Sequence, residues 1–488
     1  MYPTWDLDPT AGNIFTASAP TEASPRTTRV AVAESNTGDD FTAGCIQDTE
    51  PLRSLAAANR AQETEPLASI SAGVGRIPAQ GNGRRMAALR EELLTAWSAT
   101  IDEGVESGTY TLGKAVRQFE QMVEQAWATP GTDPLHAVMV NSGTTALYGA
   151  LVGCGIKPGD MVIVPAMTFI STALACAWVG ATPIFVDVTP GTWTLSLDAV
   201  NQLLVERDDL RPRIKAIIPV HLYGAIMPEM AQLLDLAREE GWKVIEDASQ
   251  AHGATLTVEG QAYVAGALSH AGCFSMSGVK NAGVAEDGGC ILTRDPALAD
   301  FLRMWRDLGR KPGDRYGFHV PGVRGRMGSF AAAGGIVQFR HLNAWNRQRR
   351  EIAVRYTEAI NEAGLPLITP VVPDGSDPCW YKYVIVVGTS AERERIEACL
   401  REIGVETEHY YPLALPDQPV YQSGQLSYVV AGDLAVTRHL AACGTCLPIY
   451  PELSEREQQR VIAAVQQAFA CRLHVRTAVQ QTTEAVLL

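Results

Sequence analysis

The chain has 488 residues, 46% of them hydrophobic and 19% charged, and a formal net charge of −14. That length predicts two or more domains around a large core. The acidic balance argues against the basic face that a nucleic-acid binder needs, and apolar runs such as IKAIIPVHLYG and MVIVPAMTFI are strand-length, below the ~18 residues of a membrane helix.

The N-terminus, MYPTWDLDPTAG, lacks a basic region followed by an apolar one, so no secretory signal is expected and the cytoplasm is the default. Residues 1–75 are rich in Ala, Thr, Ser, Glu and Asp without periodicity, which predicts an acidic, mostly disordered extension. From Arg84 the pattern changes. GRRMAALREELLTAWSATIDEG and GKAVRQFEQMVEQAW carry apolar residues at helical spacing. Strand and helix then alternate: HAVMV, SGTTALYGALVGCG, MVIVPA, ISTALACAWVG, TPIFVDV, LDAVNQLLVE, IKAIIPVHLYG, MAQLLDLAREEG and KVIEDAS. Short apolar strands alternating with helices predict an α/β fold, a mainly parallel sheet with helices on both faces. This large domain is expected over 76–335. A long helical stretch from 329 to 363 leads into YKYVIVVG, AERERIEACLREIG, TEHYYPL and SEREQQRVIAAVQQAFA. These predict a smaller α+β domain over 336–471, with a frayed tail over 472–488.

Ten scattered cysteines read as reduced core residues. Cys443 and Cys446 form a lone CxxC without a second ligand pair, so no metal site is expected.

Parallel sheets bind ligands at the C-terminal ends of their strands, and three motifs fall there. Asn141-Ser-Gly-Thr-Thr-Ala146 follows HAVMV; hydroxyls and N–H groups at a helix start suit a phosphate, or simply cap the helix. Glu246-Asp-Ala-Ser-Gln-Ala-His252 ends strand KVI; a carboxylate there is a structural ion pair or a partner for a cationic ring nitrogen. Lys280, one of seven lysines, lies in CFSMSGVKNAG. It reads as a surface lysine or as a Schiff-base nucleophile activated by desolvation, with Ser275 as a further phosphate hydroxyl. Together the three supply what pyridoxal phosphate needs from a protein. A nicotinamide site would want G-x-G-x-x-G where NSGTTAL stands.

From Arg84 to Phe469 the sequence resembles the DegT/StrS family of pyridoxal-phosphate-dependent sugar aminotransferases, of fold type I. The resemblance rests on GTYTLGKAVRQFE, NSGTTALYGAL, VIVPAMTFISTA, GATPIFVDV, PVHLYG, VIEDASQAHGA, FSMSGVKNAG followed by GG, RM and FAA of RGRMGSFAA, HYYPL and LPIYPELSE. It implies roles by position. Lys280 would hold the cofactor and shuttle protons, and Asp247 would hold the pyridinium N–H. Gln250 would contact the ring and Phe169 would stack on it. Thr144, Thr145 and Ser275 would bind the phosphate. His221 and His252 would act behind these groups. Arg326 matches a position near the subunit interface, and Tyr110 one near the substrate mouth. Arg324 stands where the family usually has an Asn that reaches the partner's cofactor phosphate, and the turn after Lys280 is one residue longer than usual. The resemblance also implies a homodimer with shared sites. Its small-molecule partners would be an amino donor, glutamate or glutamine, and a keto acceptor: a sugar, sugar phosphate, nucleotide sugar or cyclitol. Other pyridoxal-phosphate chemistry is the alternative. Dehydratase relatives replace the lysine with histidine, and a non-enzymatic regulator would have no need of Lys280 and Asp247.

Overall fold

The computed structural model describes residues 75–469. The extension expected over 1–75, but for its last residue, and the tail over 472–488 lie outside them. In chain order the strands are β1 (His136–Val140), β2 (Met161–Pro165), β3 (Thr182–Val186), β4 (Ile214–Ile217), β5 (Lys243–Asp247), β6 (Thr255–Val258), β7 (Gln261–Val264), β8 (Ala271–Ser275), β9 (Gly289–Thr293), β10 (Ser376–Asp377), β11 (Tyr383–Val386), β12 (Val429–Val430) and β13 (Gly444–Leu447).

Eight strands form the main sheet in the order β1-β9-β8-β5-β4-β2-β3-β12. β9 runs antiparallel to both neighbours, and the other pairs are parallel. The sheet is therefore the mainly parallel one expected, with seven strands from residues 136–293. The eighth comes from much later in the chain. Val429 and Val430 pair in parallel with Ile184 and Phe185 of β3.

Successive residues of a strand point to opposite faces, and here both faces are covered. Val138, Val140, Val162, Val164, Ile245 and Ile291 pack on one side, against Ala146 and Ala150 of helix Gly143–Gly153 and Leu302 of helix Pro296–Trp305. Ala137, Met139, Ile163, Val244, Phe274 and Leu292 pack on the other, against Phe119 of helix Lys114–Trp127 and Leu233 of helix Met230–Glu240. Burial on two faces explains why β2 and β9 are buried along their whole length rather than alternating.

A helix of 34 residues, Ser329–Glu362, ties the C-terminal part to this sheet. Its first half gives Ala331, Phe339 and Leu342 to the second core. Its second half gives Ile352, Tyr356 and Ile360 to packing shared with Tyr383 and Val386 of β11. The boundary expected at 335/336 falls inside this helix. β11 pairs antiparallel with β13, flanked by helices Ser390–Glu402, Ala435–Cys443 and 455–469.

Two segments differ from expectation. IKAIIPVHLYG stops being a strand at Ile217; Pro219 has no N–H to give a ladder, and Tyr223 turns the chain at φ 60°. TEHYYPL makes one bridge, Glu408 to Cys446, rather than a strand, because Tyr410 and Tyr411 turn into a cleft.

One ion pair is buried beside β1. Glu120 accepts from the Met139 N–H at 3.0 Å and pairs with Arg306, which also donates to the Met139 carbonyl at 2.6 Å. Replacing Arg306 with Met would leave that carboxylate buried without its cation. Urea denaturation of Arg306→Met is expected to show a loss of about 3–5 kcal/mol; a loss below about 1 kcal/mol would show that the pair contributes little.

Candidate active site

The C-terminal ends of β1, β5 and β8 deliver Ser142, Asp247 and Ser275 to one cleft of about 390 Å³. Lys280, Thr144, Phe169 and Gln250 line the same cleft, as do Tyr381, Tyr410 and Tyr411 from the C-terminal part.

The cradle is built first by close approach. A Cβ on Gly143 would stand 2.7 Å from the Ser275 Cβ and 2.8 Å from its Cα, so only glycine lets the helix start meet the end of β8. Ser142 caps that helix, its Oγ accepting from the Thr145 N–H at 3.1 Å. The Thr144 hydroxyl pairs with Ser171 Oγ at 2.7 Å. The result is a cluster of hydroxyls at the N-terminus of an 11-residue helix, where N–H groups and the helix dipole favour an anion. Thr145 is not part of the lining; its hydroxyl lies 2.9 Å from Ser142 Oγ.

On β5 the neighbouring carboxylates Glu246 and Asp247 point opposite ways. Glu246 is fully buried and satisfied, accepting from Gly266 N at 2.8 Å, Leu268 N at 3.0 Å and Ser269 Oγ at 2.8 Å. His221 completes the set. Its Nδ1 accepts from Met227 N at 3.3 Å, so Nε2 carries the proton toward Glu246 at 2.9 Å. Burial acts most strongly on Glu246 and would raise its pKa, but His221 and the other donors outweigh it and hold the carboxyl below its ordinary value. Asp247 faces the cleft. Thr172 Oγ1 donates to its Oδ2 at 2.8 Å and Ser249 N to its Oδ1 at 3.1 Å, which fixes the carboxylate while leaving it room for a cationic partner. Sequence reasoning missed Thr172, although Thr168 and Thr172 of TFIST stand one helical turn apart and are joined at 3.0 Å.

Gln250 Oε1 accepts from Tyr223 N at 2.8 Å and its Nε2 donates to the Tyr411 hydroxyl at 3.0 Å. This amide locks the tyrosine wall to the sheet. Phe169, about half exposed, tilts against Tyr411 with centroids 5.8 Å apart.

Lys280 is partly exposed as a residue, but its amine stands inside the cleft, 4.5 Å from the Tyr381 ring centroid. Burial lowers its pKa to about 8, with Lys382 pushing the same way and Asp247 opposing. At pH 7 about a tenth of this amine is therefore unprotonated and nucleophilic, far more than of a solvated lysine. His252 is buried behind it, 5.3 Å from Phe274. Burial, then the charge of Lys280, lowers its pKa to about 3, so it is a neutral imidazole.

Three residues stand away from the cleft. Tyr110 stacks on Phe330 at 5.8 Å. Arg326 pairs with Asp307 at 3.3 Å. Arg324 is exposed, on a segment that pairs with Asp307.

Fold and cleft together define the class: the architecture is that of the fold type I aminotransferases. Residues 94–466 match the DegT/DnrJ/EryC1/StrS aminotransferase family, and the chain belongs to it. It is 37% identical over 383 residues to the dTDP-3-amino-3,4,6-trideoxy-alpha-D-glucose transaminase of Streptomyces venezuelae, covering 78% of this chain and 94% of that one. It is 36% identical to the "Pleiotropic regulatory protein" of Geobacillus stearothermophilus, covering 77% and 95%. Among solved structures, S. venezuelae DesV in complex with a ketimine intermediate superposes with a TM-score of 0.71 at 34% identity, covering 81% and 98%.

Modification of Lys280 by an amine-acylating reagent should follow a pH profile with its inflection at about 8. Peptide mapping after acylation reads it out. An inflection near the ordinary lysine value of about 10.4 would mean that the amine is solvated.

Proposed function

We propose that this protein uses pyridoxal 5'-phosphate to move an amino group from glutamate or glutamine to a keto group. The acceptor is a sugar, sugar phosphate, nucleotide sugar or cyclitol. The observation that carries the reading is the enclosed amine of Lys280 in one cleft with the Asp247 carboxylate and a hydroxyl cradle at a helix N-terminus. These residues fit the cofactor. The cradle offers N–H and hydroxyl donors to its phosphate, and the Gly143–Ser275 contact leaves no Cβ in the way. Asp247, already oriented by Thr172 and Ser249, would hold the cationic ring nitrogen. Lys280 would hold the group covalently, with Phe169 and Gln250 beside the ring. When bound, the cofactor supplies an electron sink for the bond broken at the substrate carbon.

The chain's own residues do the rest. With a pKa near 8, the Lys280 amine takes a proton from the substrate carbon and returns it. Asp247, oriented by Thr172 and Ser249, would hold the proton on the ring nitrogen. The tyrosine wall narrows the cleft around the reacting carbon, and the buried Glu246–His221 pair keeps β5 in register behind Asp247.

The dimer belongs to the same reading. Arg324 faces outward from its own chain, as a residue serving the partner subunit would, and its guanidinium suits the partner's cofactor phosphate. Thr145 contributes to the cradle through Ser142. Residues 76–335 serve as the cofactor-binding domain and 336–471 as the smaller one that closes the cleft. No described helix is long and apolar enough to cross a membrane, and the cytoplasm is the proposed location.

Protein reconstituted with pyridoxal phosphate is expected to show a visible absorbance band that bleaches on addition of L-glutamate or L-glutamine, with the matching oxo acid released. Lys280→Ala should lose the band and about 10³-fold or more in turnover; a variant that keeps both would sink the assignment. Arg324→Ala should weaken cofactor retention, measured by dialysis. If retention is unchanged and only the acceptor KM rises, Arg324 binds substrate instead.

A further inference from the structure

We propose that Arg85 is a positioning residue for Lys280: its guanidinium grips the two peptide carbonyls that bracket the lysine's turn, and so sets where the amine stands in the cleft. The inference rests on Lys280 as the residue that holds the cofactor.

Arg85 lies on the short helix Asn82–Ala88 and is 3% exposed. Its Nη1 donates to the Lys280 carbonyl at 2.9 Å. Its Nη2 donates to the Gly278 carbonyl and to Asn82 Oδ1, the latter at 3.1 Å. Among the described residues no other donor reaches either carbonyl. The turn is held elsewhere by Lys280 N to Ser277 O at 2.9 Å, and by Asn281 Nδ2 to Cys379 O at 2.8 Å. Without Arg85 neither the Gly278 nor the Lys280 carbonyl would have a hydrogen-bond donor among the described residues.

Stability alone does not account for this arrangement. The guanidinium lies over the Trp345 ring at 5.5 Å, and among the described residues its Nε is buried without a hydrogen-bond partner. Among the described residues no carboxylate hydrogen-bonds to it; burial lowers its pKa and outweighs Glu452, which acts on it through charge alone. Close by is a second buried guanidinium, Arg349, which donates to the carbonyls of Trp380 and Ile449; burial and then Arg85 lower its pKa to about 10. Burying two neighbouring cations against neutral carbonyls stabilises little. What Arg85 provides is a rigid planar fork that fits two acceptors at once.

The fork is braced from behind. Ile77 pairs with Val405. Arg84 makes a two-pronged contact with Glu457 at 2.9 and 2.6 Å. Gln80 donates to Glu408 at 2.6 Å and to the Tyr410 hydroxyl at 3.2 Å. Residues 77–85 therefore touch the cleft at two points, the Lys280 turn and the tyrosine wall.

The test is the rate at which the full-length protein, stripped of cofactor, takes up pyridoxal phosphate, read from the visible band. The pH profile of Lys280 acylation is read beside it. Arg85→Met is expected to slow uptake about tenfold or more, since a small misplacement of a reacting group is costly, and to move the acylation inflection up from about 8. Millimolar guanidinium should restore part of the rate, and Arg85→Lys should fall between. Arg90→Met, which breaks only the exposed contact to Glu91 on the next helix, should take up cofactor at the wild-type rate. Wild-type uptake and inflection in Arg85→Met, whatever its melting temperature, would overturn the proposal. Should Arg85→Met be insoluble, Arg85→Lys decides: uptake about threefold slower or more supports the proposal, and the wild-type rate overturns it. Failure of the premise looks different, because wild-type protein would then give no borohydride-reducible adduct at Lys280.

Discussion

The cleft depends on one electrostatic constraint: a primary amine held out of water within the field of a carboxylate. Burial alone favours the neutral amine and Asp247 alone favours the cation, and the result is a Lys280 pKa of about 8. The sheet makes this balance possible. Its parallel strands end together, so Asp247 from β5, Ser275 from β8 and the helix after β1 arrive at one place. The charged groups that do not belong in the cleft are consumed elsewhere. Glu246 is spent on His221 and three further donors, and Lys382 on Glu408.

Much of this was legible in the sequence, for local reasons. HAVMV, MVIVPA and TPIFVDV are apolar on both faces because both faces of the sheet are covered, and that reads directly as buried parallel strands. Lys280, Asp247, Gln250, Thr144, Phe169 and Ser275 all line the cleft; they sit at a strand end, at a helix start, or in the turns that follow β5 and β8, where local pattern and ligand site coincide. The tyrosine wall was not legible. Tyr381, Tyr410 and Tyr411 are brought to Lys280 by packing between segments more than a hundred residues apart, and no periodicity encodes that. TEHYYPL has strand composition, yet its tyrosines serve the cleft rather than a ladder. The hairpin β6–β7 was missed because TLTVEGQAYV is polar and short. Arg85 reads from sequence as one more charge on an amphipathic helix; only its burial and its two carbonyl partners reveal it.

The charges around the cleft divide by place. Asp247 and Lys280 line it together with the hydroxyls of Ser142, Thr144 and Ser275. Exposed Asp287 lines it beyond the Lys280 turn, while Arg324 is exposed away from it. Charges at exposed positions act on what approaches a site more than on what is held inside it.

The strand β12 has a mechanical consequence. It belongs by sequence to the C-terminal part yet is zipped onto β3 of the main sheet, with Ala431 N continuing the contact to Phe185 O at 2.9 Å. The unbroken helix Ser329–Glu362 joins the same two regions. A clamshell swing of the tyrosine wall away from Lys280 would have to unzip that strand and bend a helix packed along both its halves. The width of the cleft is therefore tied to the pairing of β12 with β3 and to this unbroken helix.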